Sequence, residues 1–169
     1  MIRRHSKTPL PRIWAEHPKA KGILGEAEIR VSEHSRIRAK LLVFRSNKAM
    51  RDFFRDVLDR PGAVCKKTQG ICCPLTMIWM KYDGTEEWKC DPRYFCVVGL
   101  IKSHLTTEII VHESVHAGFA YMARQNAKQW SKTDAMDEEE VCYPAGRIAN
   151  GINQFLHSEG LYEAPATNS

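Results

Sequence analysis

Five consecutive residues, His112-Glu113-Ser114-Val115-His116, carry the chemistry that stands out in this chain. On a helix, residues four apart lie on one face, so both imidazoles can reach a single ion. Glu113 would then sit beside a water bound to that ion and accept its proton. Such an HExxH arrangement is suited to zinc-dependent hydrolysis of peptide-like bonds.

A catalytic zinc wants three protein ligands and one open position. A third histidine in the HExxHxxGxxH pattern would fall where this chain has Met122, with Phe119 in the glycine place. The third ligand must therefore be a carboxylate further along, and the acidic run Asp137-Glu138-Glu139-Glu140 supplies candidates. A glutamate on a helix packed against the motif helix needs small residues three and seven positions on. Glu139 has Cys142 and Gly146 there, Glu138 has Val141 and Ala145, and Glu140 has the bulkier Tyr143 and Arg147. On this reasoning Glu139 ranks first and Glu138 second. Tyr143, His104 and His157 are candidates for an oxyanion-stabilising donor, with Tyr143 preferred.

HESVHAGFA followed about twenty residues later by EEEVCYPAG resembles the gluzincin arrangement, an HExxH helix and then a glutamate helix. In size and order it is most similar to the compact zincin-like metallopeptidases of phages and other mobile elements. The resemblance covers roughly residues 95–156. It implies a zinc metallopeptidase with His112, His116 and Glu139 as ligands and Glu113 as general base, acting on a peptide or protein. The glycine-rich and Glu-Gly-Cys-Leu motifs of peptide deformylase have no counterpart here.

The elements that must position these residues can be read from periodicity. Extended chain is expected over 27–31, 37–44, 75–82 and 94–101, the third closed by a turn at Asp83-Gly84. The run at 94–101 lies just upstream of the motif, where zincins place the edge strand that pairs with a substrate peptide. Residues 65–74 read as a cysteine-bearing loop. A helix is predicted at about 48–58, stopped by Pro61-Gly62. The motif helix is predicted from an N-cap near Thr106 to about Asn126. After a polar break at 128–136, a last helix runs from about Asp137 to Ser158, with Pro144 expected to kink it.

The resulting fold class is α+β, a small twisted sheet packed on the HExxH helix with the glutamate helix beneath. One domain over 26–160 is expected, with a basic, proline-containing arm at 1–25 and a tail at 161–169. The net charge of +5 is uneven, because residues 1–40 hold ten Lys/Arg against four Glu. The arm is a candidate for contact with nucleic acid or an acidic partner. No secretory signal or membrane span is read, and a cytoplasmic setting is expected. The six cysteines, none in a C-x-x-C pair, then read as thiols and small buried hydrophobes. Trp14, Trp79, Trp88 and Trp130 read as core or interface residues. Two other functions fit the sequence: a metal-binding interaction module without proteolysis, and a nucleic-acid-associated protein using its basic arm.

Overall fold

The computed structural model describes residues 20–80, 86–125 and 138–162, with side chains left undescribed at 76–80, 86–90 and 138. The first nineteen residues, the Asp83-Gly84 turn, the polar break and all four tryptophan side chains fall outside that description.

Among the described residues, six strands and three α-helices follow in the order β1 (Ile23–Arg30), β2 (Arg38–Phe44), α1 (Asn47–Asp56), β3 (Gly70–Pro74), β4 (Thr76–Met80), β5 (Glu86–Cys90), β6 (Tyr94–Ile101), α2 (Thr107–Gln125) and α3 (Glu138–Ser158). A four-stranded mixed sheet has the order β1-β2-β6-β3, and β4 and β5 form a separate two-stranded ribbon. β1 is antiparallel to β2, β2 parallel to β6, and β3 antiparallel to β6.

The parallel pair forms the centre because its residues are apolar on both faces. All eight residues of β6 are buried, as are six of the seven in β2. One face (Leu42, Phe44, Val97, Ile101) meets Met50, Phe53 and Phe54 of α1. The other (Leu41, Val43, Cys96, Val98, Leu100) meets Ile110 and Ala117 of α2 and Ile148, Ile152 and Leu156 of α3. The sheet is thus a filling between α1 and the α2–α3 pair.

Local signals set the helix starts. The Ser46 hydroxyl accepts from the Ala49 amide, and the Thr106 hydroxyl from the Ile109 amide, each satisfying a first-turn donor. Pro144 lies inside α3 without ending it. Its missing N–H frees only the carbonyl of Glu140, an exposed residue that water can reach.

Several expectations are corrected. β6 is a central strand and not the edge, because a run of eight apolar residues needs cover on both sides. Among the described residues the edge on the α2 side is β3, inside the segment read as a loop. The ribbon strand β5, too, went unread. The sheet begins within the segment assigned to the arm: β1 starts at Ile23, and Ala20 is buried. Part of the basic excess belongs to the sheet as well. Lys40 is buried and donates to Glu26 at 3.1 Å, while Arg38 pairs with Glu28. At the other end Leu161 and Tyr162, placed in the tail, pack against the core.

Candidate metal and hydrolytic site

α2 carries the whole HExxH run, and its register divides the five residues by environment. Ile110, Glu113, Ser114 and Ala117 are buried, whereas His112, Val115 and His116 are exposed. The sheet therefore takes the glutamate side of the helix and leaves the histidine side open.

The imidazoles converge. Their Nε2 atoms stand 3.2 Å apart, with the ring planes at 77°. Two nitrogens bound tetrahedrally to one zinc at the usual bond length would be separated by about 3.3–3.4 Å. The pair thus already has the spacing of two ligands on a common ion. One ring nitrogen donating to the other fits the same distance.

Glu113 is a buried carboxylate, 6% exposed, lodged against β3. Burial pushes its pKa up, opposed by the two nearby imidazoles and by a hydrogen bond from the Cys72 backbone amide. Gly70 makes the close approach feasible. A Cβ there would stand 2.9 Å from Glu113 Cγ and 2.8 Å from Ile109 Cγ2.

α2 and α3 pack tightly near the other end of the motif helix. Thr107 of α2 lies beside Tyr162 just past α3, and Gly118 lies beside Val141 and Ala145, so the helices run antiparallel. The buried stripe of α3 is Val141, Ala145, Ile148, Ile152 and Leu156. This overturns the premise that ranked Glu139 first. Its downstream neighbours do not form the packed face: Cys142 is exposed, and a Cβ on Gly146 would meet nothing within 4 Å. The packed face runs instead through Val141 and Ala145, the positions three and seven residues beyond Glu138 in the sequence.

His112 and His116 are therefore brought together, while Glu139 is exposed and is not gathered with them. Among the described residues no three His, Cys, Asp or Glu side chains form a metal-binding group. Residues 126–137 and the Glu138 side chain are not among them. Tyr143 is 58% exposed on the outer side of α3, its hydroxyl accepting from Arg147 at 2.9 Å. His104 and His157 are exposed, and His157 lies edge-on to Tyr162.

Two features escaped the sequence reading. One is the β3–Glu113 contact, signalled only by Gly70 opening a short run of extended character. The other is an apolar groove of about 460 Å³ between α2 and α3, lined by Val111, Val115, Phe119, Cys142, Ala145 and Gly146 among others. Val111, Val115 and Phe119 are 49%, 39% and 47% exposed, although apolar residues at this spacing ordinarily form the buried stripe of a helix.

The fold and site define an α+β protein with a four-stranded mixed sheet, in which one buried glutamate and two converging histidines share a helix. Comparison with family models, curated proteins and solved structures gave no significant match. No helix among the described residues is long and apolar enough to cross a membrane.

Proposed function

We propose that this chain is a zinc-dependent metallopeptidase of the compact zincin type. The observation that carries this reading is the 3.2 Å separation of the His112 and His116 Nε2 atoms, beside a buried glutamate held by a strand edge. His112, His116 and a carboxylate from the head of α3, Glu138 or Glu139, would hold the zinc. When bound, zinc supplies the Lewis acidity that acidifies a water and polarises the peptide carbonyl.

Glu113 accepts the proton of the attacking water and passes it to the departing amine nitrogen. Its raised pKa makes the carboxylate a stronger base toward the water than an ordinary glutamate, and the departing amine is basic enough to take the proton back. The peptide lies along the outer edge of β3, adding a strand to the sheet. Tyr143 would have to turn from Arg147 to reach a developing oxyanion.

Metal content by elemental analysis tests the assignment, in wild type beside His112→Ala, Glu138→Gln and Glu139→Gln, together with peptide cleavage by Glu113→Gln. One zinc per chain is expected, lost in His112→Ala and in one of the two glutamine variants. Cleavage should disappear in Glu113→Gln with zinc retained. A wild type without zinc defeats the proposal. Zinc retained with no cleavage would favour the second reading, an interaction module, for which the exposed apolar groove offers a docking face. DNA binding with a steep salt dependence, lost on deleting residues 1–19, would favour the third.

A further inference from the structure

The edge of β3 has a fixed phase. The Leu75 amide donates to the Phe95 carbonyl at 2.9 Å, and Cys73 and Ile71 lie opposite Val97 and Gly99 in the same antiparallel register. Hydrogen-bonded and outward positions alternate along such a strand, so Ile71 and Cys73 turn their amides toward β6. Gly70, Cys72 and Pro74 face the other way. The Cys72 amide points outward, on the edge along which the Glu113 side chain passes Gly70.

Gly70 stands one outward position earlier and meets the same side chain lower down. A Cβ at 70 would lie 2.8 Å from Ile109 Cγ2, 2.9 Å from Glu113 Cγ and 3.2 Å from Glu113 Oε1. Ile109 and Glu113 are one helical turn apart, so they straddle the glycine. Neither obstacle is the loose end of a flexible chain. With Glu113 only 6% exposed, little water is at hand to replace a lost donor.

We propose that Gly70 and Cys72 are positioning residues for Glu113: the glycine leaves the space its side chain occupies, and the Cys72 amide fixes the direction of its carboxylate. This rests on the reading of Glu113 as the general base. A methyl group at 70 has two ways to be accommodated, lifting β3 from α2 or rotating Glu113 about its Cα–Cβ bond. Both take the carboxylate off the Cys72 amide.

The test uses the full chain as wild type, Gly70→Ala, Ile109→Ala and the double variant. Ile109→Ala removes one of the two obstacles, so the double variant keeps the strand seated if Gly70→Ala alone does not fold. Readouts are zinc content, hydrogen exchange at individual amides, and kcat and KM on a quenched-fluorescence library of mixed-sequence peptides. Relative to Ile109→Ala, the double variant should exchange the Cys72 amide at least about tenfold faster, with Ile71 and Cys73 unchanged. Its kcat should fall about 10- to 100-fold, with KM and zinc content retained. Unchanged exchange at Cys72, or an unchanged kcat, overturns the proposal. If the wild type neither holds zinc nor cleaves, the hydrolase reading fails, and exchange at Cys72 alone decides whether β3 holds the carboxylate.

Discussion

Gly118 of α2 sits so near Val141 of α3 that a Cβ on the glycine would stand 2.8 Å from the Val141 carbonyl oxygen and 3.2 Å from Ala145 Cβ. The obstacle is backbone, which cannot rotate away, so any side chain at 118 must part the two helices. Gly118→Ala should cost about 1–3 kcal/mol in chemical denaturation. If the head of α3 supplies a zinc ligand, the same variant should weaken zinc binding although residue 118 carries no donor atom. Titration with a competing chelator measures this; unchanged affinity would separate α3 from the metal.

Zinc should stabilise the folded chain by mass action. At a free concentration one hundred times Kd the gain is about 2.7 kcal/mol, a rise in Tm of roughly 5–10 °C for a domain of this size. Scanning calorimetry with and without zinc reads the effect. It should vanish in His112→Ala and in His116→Ala, because each removes one of the two converging nitrogens.

Glu113 is a carboxylate stored at a cost to stability. Its pKa is raised in the folded protein, chiefly by burial. A group of this kind favours the folded state below its unfolded pKa, and that contribution is lost as pH rises through its folded value. In zinc-free protein, Glu113→Gln should therefore raise Tm at pH 7, by about 2–4 °C for each kcal/mol relieved, while still accepting from Cys72. The difference should shrink toward pH 4. A melting profile across that range gives the sign directly.

The Tyr94 hydroxyl of β6 donates to Glu28 of β1, reaching over the intervening β2. Burial alone would raise the Glu28 carboxyl, but Tyr94 and the Arg38 guanidinium outweigh it and hold the pKa below its ordinary value. Stability from a lowered carboxylate is present above the unfolded pKa and is lost as pH falls through the folded one. Tyr94→Phe should cost about 1–2 kcal/mol at pH 7 by urea denaturation, with a smaller deficit in acid.

Helical periodicity was strong enough to place both ends of α1, the start of α2 and the end of α3 within about two residues, and the apolar run of β6 at its observed limits. Thr106 was legible as a cap because capping is a local interaction. What failed depends on partners distant in the chain. β3 is only five residues long, with two cysteines and a proline, and becomes a strand because β6 offers it a ladder. The ranking of Glu139 over Glu138 turned on which face of α3 is buried. Small residues at 142 and 146 suggested one face, while the sheet and α2 took the adjoining one, through Val141 and Ala145. The convergence of His112 and His116 was readable because one helix dictates it; where a third ligand comes from depends on how two helices pack.

Pro74 closes β3 at an outward position, where it has no amide to offer, and the Glu113 side chain crowds the same edge beside Gly70. A foreign β-chain seeking to extend the sheet there meets a proline without a donor and a glutamate crowding the edge, which makes it a poor template for the open-ended pairing of fibrillar aggregation. The same spare edge can still accept a short guest in a single phase, so protection from self-association and selectivity for an extended peptide come from one proline and one glutamate.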